Sequence, residues 1–97
     1  MAAREPTQAS PLAQTIDLAK FCNVPRGTTV RVDVRGDRSS FELVCERRNR
    51  WVLEGELDTA ELTAVYQRGG EIVDKPATVP GWLSAVAREY GIDEVSL

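Results

Sequence analysis

The chain has 97 residues, a formal net charge of −3 and no histidine. That length suits one domain with a single modest core, and no apolar run approaches the roughly 20 residues needed to span a bilayer. Two distant cysteines, no histidine and no Gly-rich phosphate loop argue against a zinc site, a disulfide scaffold and a nucleotide-binding motif.

Residues 1–9 are small and polar and read as a disordered leader. The first six, Met1 to Pro6, lack the apolar stretch of a secretory signal, so a cytoplasmic protein is the expectation. Helix signals open at Ser10, a good N-cap, with Pro11 in the first helical position. Leu12, Ile16 and Ala19 share one stripe, widened by Leu18, Phe21 and Cys22. They predict an N-terminal helix that the Val24-Pro25 pair stops.

A three-strand meander follows. Thr28 to Val34 alternates, with Val30, Val32 and Val34 on one face. Ser39 to Glu46 does the same with Phe41, Leu43 and Cys45, and Arg50 to Leu57 with Trp51, Leu53 and Leu57. One apolar face per strand is the pattern of an antiparallel sheet covered on one side. A turn at Gly36-Asp37 would pair Val32 with Phe41 and set Arg31 against Glu42. A three-residue turn, Arg47-Arg48-Asn49, would pair Cys45 with Trp51, Val44 with Val52 and Phe41 with Gly55.

Asp58, with Glu61 three residues on and Leu57 and Leu62 placed as a hydrophobic staple, predicts a second helix ending at Gly69-Gly70. Its stripe would be Leu62, Val65 and Tyr66. A short strand is expected at Glu71–Val73. A C-terminal helix is expected from about Pro80 to Tyr90, with Leu83, Val86, Ala87 and Tyr90 inward and Gly91 past its end. Val95 and Leu97 suggest a terminal strand. The whole predicts an α+β two-layer sandwich: N-terminal helix, three-strand antiparallel meander, then helix, short strand and C-terminal helix. Residues 10–97 form its single domain.

Charge is unevenly spread. Seven arginines between Arg26 and Arg50 face four acids, a surplus of +3, whereas three cations from Trp51 onward face nine acids, giving −6. Strand direction should crowd Arg26, Arg47, Arg48 and Arg50 at one end of the sheet, where guanidinium forks suit phosphate or carboxylate. A solvated loop has the same composition. Trp82 lies about 100° from the centre of its helix's apolar stripe, which suits either the core edge or a partner contact. The outer sheet face is a third surface, with Val44 and Val52 among Thr29, Arg31, Glu42 and Glu54.

Catalytic signals are weak. No histidine is present to act as a base, and Cys22 and Cys45 read as reduced small hydrophobes. Glu42 beside Glu54 is the one acid/base pair, and a solvated charge ladder accounts for it. Arg35-Gly36-Asp37 spells a cell-adhesion tripeptide, but a hairpin turn accounts for those residues without export. The expectation is a non-catalytic, cofactor-free protein-interaction module or regulatory accessory protein. Its partner would be another protein or a second copy, not a membrane. The alternative is a nucleic-acid-binding regulator using the arginine cluster.

Overall fold

Alternation of apolar and polar residues carries further along the chain than the sequence reading allows. The computed structural model describes residues 14–97. Their strands are β1 (Gln14–Asp17), β2 (Thr29–Asp37), β3 (Ser40–Glu46), β4 (Arg50–Glu56), β5 (Thr59–Tyr66), β6 (Ile72–Val73) and β7 (Glu94–Ser96). The one α-helix among them is α1 (Gly81–Glu89). Neighbours run antiparallel in the order β1-β2-β3-β4-β5-β6, and β7 pairs parallel to β5. The described residues are mostly β, one mixed sheet with one α-helix on its inner face, rather than a sandwich with several helices.

Two predicted helices are corrected. The leader over residues 1–9 and the helix start at Ser10, Pro11 and Leu12 lie outside the described residues. The remainder of that first helix is β1 followed by a single 3-10 turn, Leu18–Lys20. Ile16 pairs with Val30 across β1 and β2, and β-branched Thr15 and Ile16 suit a strand. Asp17 caps the 3-10 turn by accepting a hydrogen bond from the Ala19 N–H at 3.0 Å.

The second predicted helix is β5. Leu53 pairs with Leu62 but Val52 pairs with Ala64, so Thr63 is an extra residue in a β-bulge. The bulge shifts the alternation by one: Leu62 and Val65 both face the core although three residues apart. That spacing mimics a helical stripe. The Thr63 hydroxyl donates to the Val52 carbonyl at 3.2 Å across the bulge. The supposed staple is a two-residue turn at Leu57-Asp58, and Leu57 has φ 56°. Hairpins of this kind usually give that position to glycine. Here the Leu57 N–H donates to the Arg38 carbonyl at 2.7 Å, and the Asp58 carbonyl accepts from the Asp93 and Glu94 N–H groups.

The second hairpin has the expected register: Cys45 pairs with Trp51, Val44 with Val52 and Phe41 with Gly55. The first does not. Val32 pairs with Cys45 and Val34 with Leu43, a slip of four residues, and the turn falls at Arg38-Ser39. An even slip keeps every side chain on its face, so inward apolarity does not choose between the two registers. Local chemistry does. Asp37 Oδ1 accepts from the Ser39 N–H, the Ser39 hydroxyl and the Ser40 N–H, a side-chain turn that closes the loop after residue 37. The observed register also sets Arg31 against Glu46 and Arg35 against Glu42, two opposite-charge rungs instead of one. Arg35, Gly36 and Asp37 therefore end a strand rather than form its turn.

The core lies between the sheet's inner face and α1. Leu18, Val30, Val32, Leu43, Cys45, Leu53, Leu62 and Val65 meet Leu83, Val86 and Ala87, all nearly inaccessible. The helix ends as expected: Gly91 has φ 84°, and the Ile92 N–H reaches the Ala87 carbonyl at 3.0 Å. Ile92, 3% exposed, closes the apolar contact behind it. β6 and β7 share the outer edge of β5, and Lys75 Nζ donates to the Leu62 carbonyl at 3.2 Å between them. No helix among the described residues is long and apolar enough to cross a membrane.

Candidate functional site

Five arginines from four elements converge at one end of the sheet. Arg31 comes from β2, Arg47 and Arg48 from the β3–β4 turn, Arg50 from β4, and Arg68 from the turn after β5. With Glu46, Asn49, Tyr66 and the Gly69-Gly70 turn they line an open depression of about 660 Å³. Five cations against the one carboxylate of that lining leave a local charge of +4.

Pairing explains the convergence. One rung across the sheet reads Arg31, Glu46, Arg50, Tyr66, which sets the β3–β4 turn and the turn after β5 at the same end. Among the described residues the one ion pair within this lining is Arg50 Nε with Glu46 Oε2, 3.9 Å apart and solvent-exposed, a contact of little energetic weight. The other guanidiniums of the lining have no carboxylate within ion-pair distance among the described residues, which leaves them able to take an anion.

Of the residues the sequence nominated, Arg47, Arg48 and Arg50 meet here. Arg26 does not: it is exposed in the loop before β2 and is absent from the lining. The four-residue slip is the cause, since the expected register set Arg26 against Arg47, whereas the observed one brings Arg31 to Glu46. Arg68 and Tyr66 were hidden by the helical reading of β5. The alternation Thr59-Ala60-Glu61-Leu62 ahead of Gly69-Gly70 was the signal that pointed to them.

Trp82, at the start of α1, is half-buried and joins this end from the inner side. Its ring meets Trp51 edge-on, with centroids 5.6 Å apart and planes at 89°. Arg47 stacks over the same ring, its guanidinium carbon 5.0 Å from the centroid. The tryptophan is thus a core-edge residue that positions an arginine of the depression.

No family model, curated protein or solved structure matches this chain. What the surfaces can do is read from their own chemistry.

The outer face of the sheet is polarised beyond the arginine rung. The next rung is Asp33, Val44, Val52 and Ala64, and the one after it is Arg35, Glu42, Glu54 and Glu61. Glu42 does lie beside Glu54, as expected, with Glu61 as a third carboxylate in the row. The row is open to solvent and has Arg35 at its end. Arg35 also pairs with Asp33 at 3.5 Å.

Cys45 offers no activated thiolate. Cys45 is fully buried, and burial pushes its thiol up to about 12. Cys22 is half-buried, and both thiols are free. Among the described residues no group of three or more Cys, Asp or Glu side chains is placed to hold a metal ion.

Proposed function

We propose that this chain is a non-catalytic interaction module that docks an acidic segment of a protein partner on its arginine end. The observation that carries the reading is the convergence of Arg31, Arg47, Arg48, Arg50 and Arg68 on one depression with a single carboxylate. Guanidinium groups are planar, weakly hydrated and bidentate towards carboxylate, so they suit a partner's Asp or Glu side chains. Arg47 is held over Trp82, which lowers the entropy lost when it engages a ligand.

Charge distribution favours protein over nucleic acid. The basic surface is confined to one end, and the glutamate row stands two rungs away on the same face. A continuous phosphate backbone would run from the arginines onto Glu42, Glu54 and Glu61. A short acidic peptide would not. The net charge of −3 acts in the same direction.

Fluorescence anisotropy with a labelled Glu-rich decapeptide and an oligothymidylate of equal length tests this. The peptide is expected to bind in low salt, and Arg48→Glu/Arg68→Glu is expected to abolish binding without loss of fold. Tighter binding of the oligonucleotide, with steep salt dependence, would replace this reading with the nucleic-acid one. Equal binding of the peptide by the variant would reject the site.

A further inference from the structure

We propose that the chain's own segment Ser10 to Ala13 continues β1 along the edge of β2 and seats Leu12 in an apolar cavity on the inner face of the sheet. The inference goes beyond the docking of an acidic segment and concerns the opposite end of the sheet.

The cavity lies past the end of α1, beside the β2–β3 turn. Val34, Phe41, Leu43, Leu57, Tyr90 and Ile92 line it, and its volume is about 300 Å³. Val34, Phe41 and Tyr90 are half-buried and Leu57 is exposed, so apolar surface stands open there. Covering such surface with an apolar side chain is favourable.

Direction, register and a proline name the occupant. Gln14 pairs with Val32, and its Oε1 accepts from the Tyr90 hydroxyl at 3.0 Å. Tyr90 is a wall of the cavity, so the chain passes the cavity's rim as it enters β1. Among the described residues nothing pairs with that edge of β2 beyond Val32. Carrying the pairing on by two residues sets Leu12 opposite Val34, and directly paired residues share a face. Position 12 therefore falls on the inner face, in line with Gln14 and Ile16, where the cavity opens.

Pro11 fits the same register. The Leu18 N–H donates to the Thr28 carbonyl at 2.8 Å, one rung past Asp17 and Thr29. Hydrogen-bonded rungs alternate along an antiparallel pair, so positions 16, 14 and 12 turn their amides towards β2. Position 11 turns its nitrogen away from β2, which is where an edge strand accepts a proline. The proline also denies the outer edge of β1 to a further strand. A partner's peptide in the same cavity would leave both placements unexplained.

Nuclear magnetic resonance on the full chain tests the proposal. Nuclear Overhauser contacts are expected from the Leu12 methyls to the rings of Phe41 and Tyr90, unchanged on dilution. The Val34 amide is expected to be protected from hydrogen exchange, and Leu12→Asp to speed its exchange about tenfold or more. Unchanged chemical shifts of Leu53 and Leu62 in that variant would show the fold intact. Leu12→Met is expected to keep the protection within about threefold, because it preserves volume and apolarity. Absence of the Leu12 contacts in the wild type overturns the proposal, whether or not the variant folds. So does a Val34 amide that Leu12→Asp leaves equally protected. Contacts seen only between differently labelled copies also overturn it and would seat a second copy in the cavity. Val34 and Tyr90 are absent from the lining of the arginine depression, so peptide binding there is expected to survive Leu12→Asp. The two proposals can therefore fail separately.

Discussion

The Arg47 guanidinium lies 5.0 Å from the centre of the Trp82 ring, joining the β3–β4 turn to the first turn of α1. Trp82 in turn meets Trp51 of β4 edge-on. An arginine on a hairpin tip is thereby held over one aromatic ring, which a second ring from the core edge braces. The contact is partly exposed, so a coupling of about 0.5–1 kcal/mol is expected between Arg47 and Trp82. A double-mutant cycle with Arg47→Ala and Trp82→Leu, read by urea unfolding, measures it. Coupling indistinguishable from zero would mean that the stack does not hold Arg47.

Gly55 of β4 is a position where only a hydrogen fits. A Cβ there would stand 2.1 Å from the Thr59 carbonyl oxygen and 2.7 Å from the Ala60 Cα. Both are backbone atoms of the paired strand and cannot swing aside. Gly55→Ala is expected to destabilise the fold by about 1–3 kcal/mol, the range of overpacked sites. Unchanged stability in chemical denaturation would show that β4 and β5 separate more easily than this packing implies.

Leu57 makes the opposite prediction. Its φ of 56° is unfavourable for a bulky residue, and its side chain is 58% exposed. The strain is held by the bond to the Arg38 carbonyl and by the Asp93 and Glu94 bonds to its neighbour Asp58. Leu57→Gly is expected to leave stability unchanged or raise it by up to about 1 kcal/mol, strain relief outweighing the added unfolded-state entropy. Thermal unfolding followed by circular dichroism checks this. A clear loss would show that the leucine side chain contributes packing worth more than the strain.

Cys45 confers a pH dependence of definite sign. Burial raises its thiol from 9.0 to about 12 in the folded state, so the folded chain holds the proton longer than the unfolded one. The associated stability is complete below about pH 9 and is lost as pH rises towards 12, with a limiting slope of about 1.4 kcal/mol per pH unit. Cys45→Ala is expected to be less stable at neutral pH but to lack this alkaline component. Urea unfolding of both proteins between pH 7 and pH 10 separates the two effects; parallel pH profiles would assign the alkaline loss to other groups. In native buffer an alkylating reagent should reach the half-buried Cys22 well before Cys45.

Several features were determined by the sequence alone. Period-two alternation from Val30 to Leu53 defined β2, β3 and β4, though Leu57, expected on the same apolar face, is an exposed turn residue, and a three-residue loop ending in Asn49 set the register of the second hairpin. Leu83, Val86, Ala87 and Gly91 defined α1 and its end, because helical spacing and a left-handed glycine are local signals. The same local chemistry placed Arg47, Arg48 and Arg50 together, since one turn and its flanking residue carry all three.

Tertiary structure decided what local signals left degenerate. An even register slip leaves every face unchanged, so inward apolarity did not distinguish Arg26 from Arg31 as the arginine opposite the second turn. The bulge at Thr63 gave β5 a three-residue apolar spacing identical to that of a helix, and only pairing with β4 resolved it. Residues Gln14–Asp17 are a strand because β2 offers them an edge, whereas their own stripe reads as helix. In each case the deciding energy is a contact between residues distant in sequence, where spacing within the chain carries no information about the partner.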